Sequence, residues 1–240
     1  MDAEYRRRYR ELFVKHWWWR ARSEFLVAAL RRLHLNARQT AILDVGCGDG
    51  LFFERLAEFG AVEGIDVDAA LPAASRWEKQ IYRGAFDESF QPSRQYNLIL
   101  MLDVLEHLAD PAAALRNARR LLASDGCFLA TVPAFQAAWT NHDVLNHHVR
   151  RFTKNSMGEL LKRSGFRIAE QRYFFQWTFF AKLLVRGHEA LWKRPPAVPR
   201  VPPPSINDLL YRLSHMEQAI LGGLPLPVGS SLLVIARRES

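Results

Sequence analysis

Residues 43–50 read Leu-Asp-Val-Gly-Cys-Gly-Asp-Gly, with three glycines at alternate positions. The apolar run Ala41–Val45 predicts a buried strand that leads into them, and the amphipathic segment Leu51–Phe59 predicts a helix that follows. Glycine at a turn between a strand and a helix lets the backbone approach a nucleotide-like ligand closely. The stretch therefore predicts an α/β fold that binds its ligand at the carboxyl ends of its strands.

The position of the third glycine separates this loop from the dinucleotide-binding fingerprint. That fingerprint places a glycine or alanine three positions after the second glycine, where this sequence has Leu51, and Gly50 comes one position early. Asp66 follows the second predicted strand, Ala61–Ile65. A carboxylate there can accept hydrogen bonds from both hydroxyls of an adenosine ribose. We therefore expect a nucleoside-containing ligand without a pyrophosphate.

Further predicted strands and helices alternate along the chain, which favours a Rossmann-like, doubly wound parallel sheet with helices on both faces. We expect one domain with a helical cap (1–38), a ligand-binding core (39–172) and an aromatic and proline-rich extension (173–240). An amphipathic helix within the extension, Ile206–Leu221, is expected to dock onto the body through its apolar residues. The other predicted strands are Gln80–Arg83, Tyr96–Leu102, Cys127–Val132, Phe166–Glu170 and Ser231–Ala236, and the other predicted helices are Ala112–Leu122 and Thr153–Ser164.

The composition is that of a folded globular protein, with 49% apolar and 24% charged residues. This balance excludes disorder, a collagen-like repeat and a disulfide scaffold as the main state. Cys47 and Cys127 have no metal-type spacing, so we expect reduced thiols in a cytoplasmic protein. The basic N-terminus lacks the apolar stretch of a signal peptide, and no apolar run has the roughly 18 residues of a membrane span.

A net charge of +8 makes nucleic acid or anionic lipid a reasonable partner. The arginines are scattered and no RNA-binding motif appears, so nucleic acid is the less favoured partner. The segment Tyr173–Arg186 begins with six aromatic residues in eight. It could pack in the core or a dimer, line an apolar acceptor pocket, or lie at a membrane interface. Peripheral contact with the inner face of a membrane is therefore one prediction for this chain.

The glycine stretch and Asp66 resemble the first motifs of the class I S-adenosylmethionine-dependent methyltransferases, over about residues 40–170. Residues 16–22 and 224–238 look like a bacterial type 11/type 12-like subgroup, whose members often accompany genes for glycolipid or polysaccharide building. The resemblance implies a seven-stranded, mostly parallel sheet, S-adenosylmethionine as cofactor and S-adenosylhomocysteine as product. It also implies which residues bind the cofactor. Those near the methionine portion are Asp44, Gly46, Cys47, Gly48 and Gly50. Asp66 would bind the ribose, Phe86 would lie near the adenine, and Leu102 and Asp103 would border the cofactor.

A second cluster of polar residues, Asp103-Val104-Leu105-Glu106-His107, follows the fourth predicted core strand. In this superfamily the catalytic groups lie here. If Asp103 begins a helical turn, Glu106 and His107 lie on the same face of that turn as Asp103. A later His-rich loop, 134–151, could bring His148 to the same place. We therefore expect His107, Glu106 and His148 to be catalytic.

Three roles for this second cluster stay open. A histidine could take the proton of an acceptor hydroxyl, since imidazole titrates near neutral pH. Alternatively, Asp103, Glu106, His107 and one of His147 or His148 could hold a divalent metal, because D-x-x-E-H is similar to the E-x-x-E-H of metal-dependent ubiquinone O-methyltransferases and of RNA 3′-terminal 2′-O-methyltransferases. Aspartate in place of the first glutamate disfavours the metal. Finally, the residues could only cap a helix and order the loop.

The sequence thus predicts an S-adenosylmethionine-dependent methyltransferase that methylates an oxygen of a small or lipid-linked acceptor, which could bear a sugar. The alternatives are an RNA methyltransferase and an inactive cofactor-binding partner subunit. Arg150 and Arg151 could bind a carboxylate or phosphate of the acceptor. Thr153 is expected to be the N-cap of the next helix.

Overall fold

The structure is a computed structural model and describes residues 3–69, 75–192 and 195–239. The predicted cap, core and extension each include a few residues outside these ranges. The strands are β1 (Ala41–Val45), β2 (Ala61–Asp66), β3 (Ile81–Arg83), β4 (Tyr96–Leu102), β5 (Leu122–Pro133), β6 (Phe166–Phe174) and β7 (Ser231–Arg238). The helices are α1 (Ala3–Lys15), α2 (Trp17–Arg31), α3 (Phe53–Leu56), α4 (Pro111–Leu121), α5 (Asn141–Leu145), α6 (Lys154–Arg163), α7 (Gln176–Trp192) and α8 (Pro204–Leu221).

The strands form one sheet in the order β3-β2-β1-β4-β5-β7-β6. Strands β1 to β5 pair in parallel, and β7 runs antiparallel between β5 and β6. This confirms the predicted seven-stranded, mostly parallel sheet. The strand order reverses between β1 and β4, so the carboxyl ends of these strands border the crevice in which doubly wound folds bind ligands.

Two apolar layers cover the sheet because successive side chains of a strand point to opposite faces. All five residues of β1 are buried. Leu43 and Val45 pack in one layer with Leu115 of α4, and Ile42 packs in the other with Phe25 of α2. Helices therefore cover both faces of the sheet, as predicted.

Several predicted boundaries were wrong. The helix expected over Leu51–Phe59 is only the four residues of α3, because the chain turns again at once to enter β2. Strand β5 begins five residues before the predicted Cys127 and continues past a register shift against β4. Strand β6 runs on to Phe174, so the predicted extension begins inside a strand of the sheet.

The N-terminal helices pack against the C-terminal part of the chain. Asn207 of α8 accepts a hydrogen bond from the Trp17 backbone N–H and donates one to the Lys15 carbonyl, both at 2.9 Å. The ring centroids of Trp17 and Trp177 lie 5.2 Å apart. These contacts join α2, α7 and α8 on one side of the sheet.

Helix α8 turns its polar face toward the body of the protein, and not the apolar face that was predicted to dock there. Its buried residues are the polar Asn207, Ser214 and Glu217. Its apolar residues at a spacing of three and four are 37–66% exposed, and we call them the α8 stripe: Ile206, Leu209, Leu213, Met216 and Ile220. The prediction failed because polar contacts with residues distant in sequence decide which face of α8 turns inward. Across the described residues, none of the helices is long and apolar enough to cross a membrane.

Candidate active site

The glycine loop after β1 has a left-handed backbone at three glycines, of which Gly46 and Gly48 differ in their surroundings. Gly46, Gly48 and Gly50 all have positive φ, of 74°, 57° and 75°. A Cβ at Gly46 would lie 2.5 Å from a methyl group of Val104, whereas a Cβ at Gly48 would meet nothing within 4 Å. Val104 therefore packs against the loop at Gly46, whereas the loop is open at Gly48, on the side where a ligand would lie.

Two carboxylates predicted for the cofactor lie at this loop. Asp66 accepts hydrogen bonds from the backbone N–H groups of Gly48 at 2.9 Å and of Asp68 at 2.7 Å. Asp44 is buried, and burial raises its pKa to about 7, although Arg22 opposes this shift. The structure thus brings the loop and both carboxylates to one edge of the sheet.

The other residues predicted for the cofactor are half-buried around the same edge. Cys47 packs against Gly64 of β2, and burial raises the pKa of its thiol, so the thiol stays protonated. Phe86 packs against Phe90 at a centroid distance of 6.0 Å. Leu102 ends β4 and packs in the layer that contains α2. These three side chains give the edge an apolar lining.

Asp103 has a role that the sequence did not predict. Its φ of 58° is left-handed, so it does not begin a helical turn. Its carboxylate forms an ion pair of 2.8 Å with Arg22 of α2 and accepts a hydrogen bond of 3.1 Å from Thr131 of β5. The buried Arg22 was missed because α2 contains several arginines and only packing distinguishes this one.

The N-terminal cap also reaches the glycine loop. Arg10 of α1 lies 2.6 Å from the Asp49 carboxylate. Tyr9 is close enough to Arg22, Asp49 and Asp103 for their charges to affect its pKa, which burial raises. Helices α1 and α2 therefore form one wall of the crevice.

Glu106, His107 and His148 come together as predicted. One oxygen or nitrogen of each side chain lies within 4.8 Å of the other two. His148 Nε2 is 3.9 Å from Glu106 Oε1, and the two imidazole centroids are 4.8 Å apart. The His-rich loop, which contains the short helix α5, thus folds against the segment that follows β4.

Glu106 is completely buried, and neither of its carboxyl oxygens has a hydrogen-bond partner among the described residues. Burial and the nearby charge of Asp103 raise its pKa well above the ordinary value. Burial and the charge of His148 lower the pKa of His107 to about 4. The cluster therefore contains a carboxyl group whose neutral form is favoured by burial, and an imidazole of His107 that is neutral at neutral pH.

Asp143 holds His148 in place, a contact that sequence reasoning missed and that only the proximity of the two residues could have suggested. Its carboxylate accepts a 2.8 Å hydrogen bond from His148 Nδ1. It also accepts bonds of 2.9 and 2.8 Å from Nε and Nη2 of Arg151. Because the Nδ1 proton points at Asp143, the lone pair of Nε2 faces Glu106 and His107.

The arginines predicted for the acceptor instead hold the loop. The Arg151 side chain is fully buried against Asp143, so its guanidinium is not open to a ligand. Arg150 donates hydrogen bonds to the carbonyls of Leu108 and Ala109 at 3.0 and 3.1 Å. Thr153 is the N-cap of α6, as predicted.

A divalent metal would find three ligands here and not the four that were considered. One carboxylate and two imidazoles are a donor set that suits a divalent transition metal. Asp103 is not part of that group because it pairs with Arg22. The orphaned oxygens of Glu106 are compatible with a bound cation.

Comparisons with known proteins relate this chain to a family of methyltransferase domains. A family model described as a methyltransferase domain matches residues 18–171. A ubiquinone biosynthesis O-methyltransferase of Pseudomonas paraeruginosa is 33% identical over 137 residues, which cover 50% of this chain and 59% of that protein. The match thus spans less than two thirds of that relative.

Solved structures share the fold. A chain from the complex of the Haloferax volcanii Trm112 methyltransferase activator with a methyltransferase aligns with a TM-score of 0.62 at 16% identity, over 99% of this chain and 95% of that one. An S-adenosylmethionine-dependent methyltransferase of Mesorhizobium loti aligns with a TM-score of 0.57 at 20% identity, over 88% and 96% of the two chains. At these identities the likeness shows the fold alone.

Proposed function

Since this chain belongs to the methyltransferase-domain family that its residues 18–171 match, we propose that it transfers a methyl group from S-adenosylmethionine to a hydroxyl oxygen of a small or lipid-linked acceptor. The observation that carries the proposal is the His148–Asp143 pair, whose free imidazole nitrogen faces Glu106 and His107. This pair lies in the segment after β5, beside the edge of the sheet that carries the glycine loop.

The residues at the edge fit the cofactor. The open backbone at Gly48 would hold the methionine portion, the Asp66 carboxylate would accept the ribose hydroxyls, and Phe86 and Leu102 would lie near the adenine. When bound, S-adenosylmethionine supplies an electrophilic methyl group on a sulfonium. The chain then needs to orient the acceptor and exclude water, which accounts for much of the rate in such reactions.

His148 would act as the general base. Its Nε2 accepts the proton of the acceptor hydroxyl while the hydroxyl oxygen forms its bond to the methyl carbon and the bond from that carbon to sulfur breaks. Asp143 stabilises the imidazolium that results. Burial favours the neutral form of the Glu106 carboxyl group, which would donate a hydrogen bond to the acceptor.

The unpartnered oxygens of Glu106 support a second version of this chemistry, in which a metal ion assists. Glu106, His107 and His148 would hold a divalent ion, which would lower the pKa of the acceptor hydroxyl. Activity before and after chelation separates the two versions, with Zn²⁺, Mn²⁺ and Mg²⁺ added back one at a time. Full activity of protein stripped of metal supports the base, and loss with recovery by one ion supports the metal.

An oxygen acceptor with an apolar portion is supported by the relatives. The Pseudomonas protein is named for O-methylation in the biosynthesis of ubiquinone, which is an isoprenoid lipid. The same chemistry in this chain would bring it to a membrane surface, so we propose a peripheral location at the inner face.

The test incubates the protein with methyl-labelled S-adenosylmethionine and an extract of the source cells, then counts label in lipid, small aqueous and RNA fractions. We expect label in the lipid or small aqueous fraction, and at least a hundredfold loss in His148→Ala. The matched control is His147→Asn, because that exposed neighbour has a left-handed backbone that Asn tolerates.

Two other outcomes would overturn the proposal. Label in RNA, with steep salt dependence, would show an RNA methyltransferase. Binding of S-adenosylhomocysteine without labelled product in any fraction would show an inactive partner subunit. No binding of S-adenosylhomocysteine at millimolar concentration would refute all three functions.

A further inference from the structure

The α8 stripe is an apolar surface without a partner among the described residues. In a helix on the surface of a globular protein, the apolar side normally faces the core. In α8 that side faces outward, with Leu209 65% and Ile220 66% exposed, while Glu217 is buried on the other side. Contiguous exposed apolar surface of this kind marks a site of contact with another protein or with a membrane.

Helix α7 exposes a second apolar region. Its first turns are anchored, with Thr178 and Phe179 buried. From Phe180 onward its large apolar residues are exposed, and Leu184 reaches 77%, Leu191 80% and Trp192 67%. Leu183, Leu184 and Val185 are consecutive and all exposed, so the apolar side chains extend over a broad arc of the helix.

The two regions meet at Trp177. Its indole donates a 3.1 Å hydrogen bond to Ser214 of α8. It lines a groove together with Leu213, Met216 and Ile220 of the α8 stripe. Phe180, Leu184 and Leu191 follow Trp177 at helical spacing and so continue from this groove along α7. We call the α8 stripe together with Phe180, Leu184, Leu191 and Trp192 the α7–α8 surface.

The shape of this surface fits a lipid bilayer better than a second helix. A partner helix covers a narrow seam with residues at heptad positions a and d. The α8 stripe alone would suit such a seam, but the broad arc of Leu183, Leu184 and Val185 would stay uncovered. The interfacial layer of a bilayer receives a wider apolar arc, with aromatic residues such as Trp192 at headgroup level.

The charge of the segment that contains α7 and α8 also favours a bilayer. Residues 176–221, which span both helices of this surface, contain six Lys or Arg and three Asp or Glu, a surplus of three. A second copy would bring the same positive charge and be repelled. Anionic lipid headgroups, in contrast, attract this positive charge.

We infer that the α7–α8 surface binds the headgroup region of an anionic bilayer without crossing it. The inference deepens the proposed function, because a lipid-linked acceptor would then be met at the membrane by the same end of the protein. It does not need the cofactor or the acceptor. Methyl transfer and membrane binding can therefore fail separately.

The test is flotation of the full chain with vesicles of phosphatidylcholine alone, or with one quarter phosphatidylglycerol. We expect binding to the anionic vesicles that weakens in 1 M salt. Leu184→Gln combined with Met216→Gln should reduce the partition at least tenfold. The control Val14→Gln changes an equally exposed valine on α1 and should bind like wild type.

The three side chains changed in these variants, Leu184, Met216 and Val14, are all exposed, so circular dichroism should show unchanged folding. Equal flotation of the double variant and wild type, or no binding of wild type to anionic vesicles, would overturn the inference. Light scattering that shows a dimer which Met216→Gln dissociates would assign the surface to a second copy. Vesicle binding without methyl transfer in any extract fraction would support this inference and refute the proposed function.

Discussion

Replacing Asp143 by Asn tests whether the His148–Asp143–Arg151 arrangement is the centre of the site. Asn keeps the shape of Asp143 but removes its charge. The side chains of Asp143 and Arg151 are both 0% exposed, and no other carboxylate is paired with Arg151 among the described residues. The substitution therefore leaves a buried guanidinium without a counter-charge.

The expected loss of stability follows from that burial. Removing one partner of a buried ion pair costs about 3–5 kcal/mol, a large part of the 5–15 kcal/mol that stabilises a typical domain. The amide group of Asn can no longer accept from His148, Arg151 and the Thr140 N–H together. Burial raises the pKa of Asp143, but the hydrogen bonds from His148 and Arg151 outweigh it and hold that pKa below its ordinary value. Asp143 is therefore ionised above about pH 4, and its contribution is lost only at lower pH, so the deficit should be constant from pH 5.5 to 8.

Urea unfolding at several pH values measures this deficit. The second substitution is Arg151→Met, which removes the stranded charge, so Asp143→Asn with Arg151→Met should be more stable than Asp143→Asn alone. A loss under about 1 kcal/mol in Asp143→Asn, or additive effects in the double variant, would show that the pair does not hold the loop.

Three further predictions concern the glycine loop and the cap. Gly46→Ala should lower the free energy of unfolding by about 2–3 kcal/mol, through its positive φ and the contact with Val104. Gly48 shares the positive φ but meets no neighbour, so Gly48→Ala should cost only about 1–2 kcal/mol and should also weaken S-adenosylhomocysteine binding; urea titration and calorimetry check both. Asp66→Ala should weaken S-adenosylhomocysteine binding about ten- to a hundredfold by calorimetry, and unchanged affinity would remove Asp66 from the site. His16 caps α2 through its Nδ1, and burial lowers its pKa to about 4, below the unfolded value near 6.5. The stability that neutral His16 contributes is present above pH 6.5 and lost as the pH falls toward 4, so the rise in the free energy of unfolding from pH 5 to pH 7 should be about 2 kcal/mol smaller in His16→Asn than in wild type.

The parts of the molecule that the sequence predicted well are those encoded by neighbouring residues. Strand β1 and the glycine loop follow from a short apolar run and a spacing of glycines. The cluster of Glu106, His107 and His148 followed from a family motif and a nearby group of histidines. The first two signals lie within a few residues of the features that they predict, whereas His148 comes 42 positions after Glu106 and reaches the cluster only through the fold.

The parts that the sequence did not predict depend on distant contacts. Arg22 looks like any arginine of a basic helix until α2 places it 2.8 Å from Asp103, 81 positions later. Arg151 looks like a surface residue until Asp143 buries it. The outward stripe of α8 could not be foreseen, because Asn207 turns inward only to bond with Trp17 and Lys15.

The position of β7 has a consequence for the order in which the protein can fold. This strand comes last in the sequence but lies inside the sheet, between β5 and β6. Its Leu233 pairs with Thr131 of β5, which holds Asp103 and Arg22 at the crevice. A chain that is still emerging from the ribosome therefore has two open strand edges and an unsupported binding crevice. Co-translational folding can build the β1–β5 half, but a nascent chain cannot complete the binding crevice until residues 231–238 have been made.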